Sequence, residues 1–275
     1  MNKYKSSAEL KNEAKMQLRG NLGTVIGAFL MYMACMLSIK YISSSIALTS
    51  LTRIVMYTVL GTAVSLIGGI FILGENMITL KIACGQQAFP TEIFSGFKDV
   101  QRAAGVYFVP ALLVNLVTVP VILVSNAVDN FIQGNDLMRE MTSVTDVQAM
   151  MEFMAKTDMD VMMETYEQLM PIYTLFFGVL ILFCVVYLIT QIAFSQVLFL
   201  MLDYPDKSAG EIVKLGFKVM KGNWGRYFYI MCSFVLWDLL AFFTCYLSTL
   251  WVHPYKRMTY TNFYLDLLKN YETTL

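Results

Sequence analysis

Residues 171–202 read PIYTLFFGVLILFCVVYLITQIAFSQVLFLML, a run of 32 residues in which no side chain is charged. About 20 mostly apolar residues are enough for a helix to cross the hydrocarbon core of a bilayer. The run therefore predicts a membrane-spanning helix that is longer than the core, and such a helix tilts or projects from the bilayer.

The rest of the 275-residue chain has the same character. Hydrophobic residues make up 57% of the chain and charged residues only 15%, with a net charge of zero. An ordinary soluble domain carries about 25% charged residues. The composition excludes a soluble globular enzyme, a disordered chain and a basic nucleic-acid binder. It predicts an all-α, polytopic membrane protein.

Hydropathy predicts six transmembrane helices in all. The sixth, Leu250–Leu268, is the poorest, because Pro254, Lys256 and Arg257 interrupt it. The second is predicted to extend as a helix toward Cys84. The other five are Leu22–Ile39, Ile54–Leu73, Ala103–Val124, a helix within Pro171–Leu202, and Tyr227–Tyr246.

The distribution of Lys and Arg predicts the orientation, since cytoplasmic loops are enriched in both residues. Fourteen of the 20 basic residues lie in segments 1–21, 75–105 and 203–226 and in the C-terminal tail, and four lie on the opposite side. We therefore expect both termini on the cytoplasmic side of the membrane.

The sequence also repeats itself at an offset of 202 residues. Ser6-Ser7-Ala8-Glu9-Leu10 leads to Leu18-Arg19-Gly20-Asn21, and Ser208-Ala209-Gly210-Glu211-Ile212 leads to Met220-Lys221-Gly222-Asn223. Each copy opens with the Ser-x-x-Glu pattern of a capping box and closes on a glycine that suits the end of a helix. A weaker copy starts at Thr91-Glu92-Ile93 and runs to Arg102.

These copies predict one membrane domain, residues 1–275, made of three units at about 1–85, 86–202 and 203–275. Each unit is an amphipathic interface helix followed by a helical hairpin. Two of the interface helices carry basic stripes at helical spacing, which suit a surface of anionic lipid. Their charge is equally expected of a positive-inside topology signal. The stripes consist of Lys11, Lys15 and Arg19, and of Lys214, Lys218 and Lys221.

The same residues carry a family resemblance. Arg19-Gly20-Asn21, Leu202-Asp203-Tyr204-Pro205-Asp206, Met220-Lys221-Gly222-Asn223-Trp224 and the closing Leu250-Trp251, Pro254-Tyr255 and Phe263-Tyr264 resemble the bacterial family called domain of unknown function 975. The resemblance implies a multi-pass inner-membrane protein without an assigned activity. That family is loosely similar to the membrane domain beside some glycerophosphodiester phosphodiesterases, whose catalytic domain this chain lacks. Lys256-Arg257 departs from the small or uncharged residues that the family leads us to expect.

Charges within the predicted spans are the sharpest functional signal. Asp238 lies midway along the fifth span, and Lys256 and Arg257 lie about as far beyond the turn as Asp238 lies before it. A charge near the bilayer centre costs at least about 2.5–3.5 kcal/mol, which an opposite charge offsets. Three interpretations stay open: a polar path that also includes Asn115 of the third span, a structural salt bridge, or basic residues that snorkel to the interface.

The predicted external insertion, residues 126–169, is acidic and rich in methionine. Nine acids oppose Arg139 and Lys156, which gives a net charge of −7. Its spacing predicts two short amphipathic helices, Asp146–Lys156 and Asp158–Met170. Methionine suits an adaptable binding surface, so we favour contact with a membrane protein partner, and thioether binding of Cu(I) is the weaker alternative.

Sites for chemistry are otherwise missing from the sequence. One histidine, His253, and five scattered cysteines favour neither a zinc site nor a disulfide framework, and no phosphate-binding glycine motif is present. We expect no catalytic residues, cofactor, metal or nucleic-acid partner. The favoured hypothesis is a non-enzymatic protein that binds lipid or a membrane protein partner. The alternative is a small transporter or channel-like carrier with a path near Asp238, Lys256, Arg257 and Asn115.

Overall fold

The computed structural model describes residues 4–44 and 50–273, with side chains described outside 40–44, 50–54, 56 and 57. Lys3, Lys40 and Arg53, which entered the charge count, lie outside the described side chains. Every regular element in the described residues is helical. The α-helices are α1 Ser7–Leu18, α2 Leu22–Ser44, α3 Ser50–Ala83, α4 Val100–Gly134, α5 Asp136–Ser143, α6 Val147–Lys156, α7 Met159–Phe194, α8 Val197–Asp203, α9 Ala209–Met220, α10 Trp224–Cys232, α11 Val235–Phe243 and α12 Thr249–Glu272, and a 3₁₀ helix covers Pro90–Asp99.

Five helical segments in the described part of the chain are long and apolar enough to cross a membrane, where the sequence analysis predicted six. The sixth predicted span forms α12, which is 24 residues long but too polar to belong to this set. The five segments are Leu22–Ile39, Thr58–Ala83, Pro90–Gly134, Met159–Asp203 and Trp224–Phe243.

The chain divides into two compact units. The first comprises Met1–Leu112 and Ile189–Leu275, and the second comprises Leu113–Leu188. The three predicted repeat units are a different division of the chain and stay a prediction.

Helix α12 lies at the centre of the first unit. Its buried residues include the apolar Met258 and Phe263 and the polar Thr261, Asn262 and Asp266. The polar groups have partners inside the unit: the Asn262 amide donates to the Leu10 carbonyl at 3.3 Å, and Asp266 accepts from Arg226 at 2.5 Å. Protein therefore covers the polar faces that make α12 unsuitable as a lipid-exposed helix.

Two predicted helices differ from the observed ones. One continues into a longer helix and the other is interrupted, and hydropathy signals neither event. The predicted short helix Asp158–Met170 is the start of α7, which runs through Pro171. A proline within a helix removes one backbone hydrogen bond, and long membrane helices tolerate that loss. The predicted fifth span is interrupted at Ser233 and Phe234, between α10 and α11.

In the second unit, the predicted helix Asp146–Lys156 forms as α6, which begins after Asp146, whose side chain accepts from the Gln148 amide and caps the helix. Helix α5 precedes it and was not predicted. Several methionines on this acidic segment are exposed, among them Met151 and Met154. A protein partner for this surface stays a prediction.

The two strong repeat copies begin and end alike. Ser6 and Glu9 form a reciprocal capping box at α1, and Ser208 and Glu211 form one at α9. Gly20 and Gly222, which follow these helices, have φ values of +86° and +85°, a conformation that favours glycine. The weaker copy differs, because Pro90–Asp99 is a 3₁₀ helix rather than an α-helix.

The capping boxes predict a pH dependence. Hydrogen bonds from the Ser6 amide and then its hydroxyl lower the pKa of Glu9, and bonds from the Ser208 hydroxyl and then its amide lower the pKa of Glu211. Because both pKa values are depressed in the folded state, the stabilisation is present above the ordinary glutamate pKa and is lost as the pH falls through the folded value. We expect the melting temperature of Glu9→Ala/Glu211→Ala to lie below that of the wild type at about pH 7, and the gap to close between about pH 5 and pH 3. A gap that is constant with pH would contradict this assignment.

Candidate functional site

The charged residues predicted to form one path separate into two contacts. Lys256 Nζ lies 2.7 Å from Asp238 Oδ2, so α12 and α11 share this ion pair. Arg257, the next residue along α12, contacts α3 instead. Asn115 lies on α4 in the second unit, whereas the other three residues lie in the first.

Arg257 reaches a carboxylate that the sequence analysis did not single out. Its Nε lies 2.8 Å from Oε2 of Glu75, whose side chain is only 6% exposed. Its Nη2 donates to Asn76 Oδ1 at 2.7 Å. One helical turn further on, the Thr261 hydroxyl donates to Thr79 at 2.8 Å, so α3 and α12 run side by side in the same direction.

The only histidine of the sequence completes this arrangement. His253 Nε2 lies 2.5 Å from Glu75 Oε1, and the His253 ring stacks on Phe29 with the centroids 4.1 Å apart. One buried carboxylate therefore contacts a guanidinium and an imidazole. We call Glu75, Asn76, His253 and Arg257 the Glu75 cluster. Its described ion pairs lie at the junction of α2, α3 and α12.

A cavity of about 100 Å³ adjoins the Glu75 cluster within the first unit. Since one water molecule occupies about 30 Å³ in the liquid, the cavity has room for a few water molecules or a small polar group. We call it the Tyr260 cavity. It is lined by Ile72, Asn76, Tyr107, Pro110, Thr190, Gln191, Phe194, Ser195, Leu198, Phe199, Tyr227, Arg257 and Tyr260.

The lining of the cavity offers hydrogen-bond donors but no negative charge. Arg257 is its only charged member, and no carboxylate belongs to it. Tyr260 is only 9% exposed, and its hydroxyl is buried without a hydrogen-bond partner. A buried hydroxyl without a partner costs about 1–3 kcal/mol. The arrangement therefore suits a ligand that supplies acceptor atoms.

The predicted basic stripes do not all point toward the surrounding medium. Lys11 Nζ lies 4.5 Å from the centre of the buried Phe234 ring, and Lys15 Nζ lies 5.6 Å from that of Tyr255. Partial burial and then the charge of Lys15 lower the pKa of Lys11. In the second stripe Lys218 Nζ lies 5.7 Å from the Tyr271 ring centre. Lys15, Arg19, Lys214, Lys218 and Lys221 are exposed, so Lys11 alone among the six stripe residues is partly buried. Lipid contact by the stripes stays a prediction.

Sequence reasoning did not predict a site containing Glu75, Asn76, His253 and Tyr260. Glu75 and Asn76 had a usable signal, because they stand as a polar pair within the apolar helix that continues the second predicted span. His253 was noticed but set aside for want of metal ligands. Across residues 4–44 and 50–273, no three His, Cys, Asp or Glu side chains come together in a group that would hold a metal ion.

Comparison with known protein families gives a match over nearly the whole chain. The sequence profile of a family described as "Protein of unknown function (DUF975)" matches residues 1–271. No curated protein and no solved structure matches the chain.

Proposed function

The chain belongs to the DUF975 family of proteins of unknown function, and we propose that it is a non-enzymatic integral membrane protein that binds the phosphate group of a lipid in the Tyr260 cavity. The observation that carries this proposal is the buried, unpartnered hydroxyl of Tyr260 in a cavity whose only charged member is Arg257. Phosphate oxygens are strong acceptors, and a guanidinium is a preferred partner for them.

The state of the Glu75 cluster supports an anionic ligand. Glu75 contacts both Arg257 and His253, so its carboxylate is engaged with positive partners beside the cavity rather than inside it. A phosphate in the cavity therefore meets the guanidinium and the Tyr260 hydroxyl without facing an unpaired carboxylate. The neighbouring side chains of Asn76 and Ser195 supply further polar contacts.

A lipid is a better source of the phosphate than the aqueous phase. The cavity is lined from α3, α4, α7, α8, α10 and α12, and all of these except α12 belong to the five apolar segments. Apolar side chains such as Ile72, Leu198 and Phe199 share the lining and suit the carbon skeleton next to a headgroup phosphate.

The test compares lipids that differ in the phosphate. Purified, delipidated full-length protein is titrated in neutral detergent with phosphatidylglycerol, diacylglycerol or inorganic phosphate, and the melting temperature is recorded. Phosphatidylglycerol is expected to raise the melting temperature and diacylglycerol is not, because a ligand that binds only the folded state stabilises it.

Variants connect the effect to the cavity. Tyr260→Phe removes only the hydroxyl, and losing one hydrogen bond to a charged group is expected to weaken phosphatidylglycerol binding by about tenfold or more. Tyr255→Phe is the matched control, since Tyr255 lies on the same helix but outside the lining. Equal stabilisation by diacylglycerol, or wild-type binding by Tyr260→Phe, would refute the proposal. Stabilisation by inorganic phosphate alone would identify a soluble ligand, and solute uptake into proteoliposomes would support the carrier alternative.

A further inference from the structure

The hairpin between α11 and α12 has an apolar tip. Residues 239–255 contain no Asp, Glu, Lys or Arg. We call residues 239–252 the hairpin tip. Its large side chains are strongly exposed, up to 80% at Phe243. The exposed members are Leu239, Leu240, Phe242, Phe243, Tyr246, Leu247 and Trp251. An apolar surface of this kind marks a place of contact with another apolar phase.

The backbone N–H groups of the turn are satisfied from within. Every backbone N–H from residue 244 to residue 252 donates to an oxygen inside the hairpin. Tyr246 and Leu247 donate to the carbonyls of Ala241 and Thr244, and Ser248 donates to the Thr244 hydroxyl. An ordinary water-exposed turn has no such need, whereas in hydrocarbon each unpaired polar group costs several kcal/mol. The N–H groups of the turn therefore need no partner from the surrounding medium.

The hairpin is also too short to follow α2 to its end. The Phe29–His253 stack places these two residues at one level. Beyond that level α2 continues for 15 residues to Ser44, whereas α12 extends only four residues, back to Thr249. At 1.5 Å per residue these lengths are about 22 Å and about 6 Å, so the hairpin stops more than about 10 Å short of the end of α2.

The hairpin also stops short of the end of helix α3. Its contact between Glu75 and Arg257 marks the level of the Glu75 cluster. From Glu75 the helix extends 25 residues back to Ser50, about 37 Å. On α11, Asp238 is level with Lys256, and only five residues remain to Phe243, about 7 Å.

Exposure at the base of the hairpin agrees with a shallow position. Asp238, which pairs with Lys256, is 52% exposed in its side chain. A carboxylate so exposed is costly in the middle of a bilayer but not at the headgroup level. The ion pair therefore marks the interface, and the charge-free tip extends beyond it.

We propose that the α11–α12 hairpin is re-entrant: its tip enters the acyl-chain region of the bilayer and returns to the side from which it came. The occupant of the apolar surface is lipid hydrocarbon. The protein then crosses the membrane four times, through α2, α3, α4 and α7, and Trp224–Phe243 does not cross. This inference concerns topology and does not depend on the ligand proposed above.

The native Cys245 in the turn provides the test. Three single-cysteine versions of the full chain retain Cys245, retain Cys84, or carry Ser143→Cys, with every other cysteine replaced by alanine. A membrane-impermeant maleimide is applied to each face of sealed vesicles and then after detergent solubilisation. Cys84 and Ser143→Cys are expected to label from opposite faces. Cys245 is expected to remain unlabelled from either face and to be labelled after detergent solubilisation, because the thiolate reacts only where water reaches it.

Two results would overturn the inference. Labelling of Cys245 from the Ser143→Cys face would show that the hairpin crosses, and labelling from the Cys84 face would show that the tip lies in water. A second measurement needs no cysteine replacement. In Trp224→Phe the remaining tryptophans, Trp237 and Trp251, both lie on the hairpin, and brominated acyl chains are expected to quench their fluorescence. Fluorescence that brominated chains leave unchanged would also reject the inserted tip.

Discussion

Replacing Arg257 with methionine is expected to lower the free energy of unfolding by about 3–5 kcal/mol. The change removes the guanidinium 2.8 Å from Glu75 and leaves a carboxylate that is only 6% exposed with His253 as its remaining ion-pair partner. Removing one member of a buried ion pair is costly because the other charge stays buried without full compensation. The measurement is equilibrium unfolding of the purified protein in mixed micelles, followed by circular dichroism.

The neighbouring residue provides a matched control. Lys256→Met breaks an ion pair of the same kind one position away, but its partner Asp238 is 52% exposed. Solvent-exposed pairs contribute about 0–1 kcal/mol, so this variant is expected to differ little from the wild type. Adding Glu75→Gln to Arg257→Met removes the orphaned charge and is expected to recover part of the loss. Equal effects of Arg257→Met and Lys256→Met would mean that the Glu75 cluster has no special role in stability.

Gly74→Ala is expected to destabilise the protein by at least about 3 kcal/mol, the upper end of the cost of overpacking. A Cβ atom at this position would overlap the backbone carbonyl of Ile93, in the 3₁₀ helix Pro90–Asp99. Three residues after Ile93, a Cβ on Gly96 would meet the Ile70 carbonyl in the same way. Since backbone cannot move aside as a side chain can, the 3₁₀ helix would have to detach from α3.

Gly23→Ala is the control for the glycine prediction, because a Cβ at Gly23 meets nothing within 4 Å. Alanine is a better helix former than glycine by about 0.5–1 kcal/mol, so this variant is expected to match or exceed the wild type in stability. Both variants are compared by the same unfolding measurement. A Gly74→Ala protein as stable as Gly23→Ala would contradict the close approach of Ile93 to α3.

Local signals in the sequence predicted local structure well. The capping boxes at Ser6 and Ser208 form, and the left-handed glycines Gly20 and Gly222 close their helices. These features depend on residues within one or two turns, so their physics is contained in a short window. The apolar runs likewise correspond to helices, because length and composition alone decide whether a helix is suited to hydrocarbon.

Local sequence signals could not predict the candidate site. The sequence pointed to Asp238 as a partner for either Lys256 or Arg257, and the structure separates the two basic residues, which face different helices. Glu75 lies 182 residues before Arg257, so only tertiary packing joins them. Helix α12 shows the same difficulty, since hydropathy registers its polar residues but not the protein that covers them.

Two different polar features lie at one level of the first unit. Arg257 belongs to the Glu75 cluster and to the Tyr260 cavity, and the adjacent Lys256 belongs to the ion pair at the base of the hairpin. If that pair marks the headgroup level, the cavity lies where lipid phosphates are found. A shallow cavity of this kind suits a headgroup better than it suits a path across the whole bilayer.

Native mass spectrometry of the full chain released from lipid nanodiscs tests whether the Tyr260 cavity holds a phospholipid. We expect the wild-type protein and Tyr255→Phe each to retain one phospholipid after the bulk lipid is stripped away, and Tyr260→Phe to lose it. A wild-type protein that emerges free of lipid, or three proteins that retain the same phospholipid equally, would contradict a phosphate site in the Tyr260 cavity.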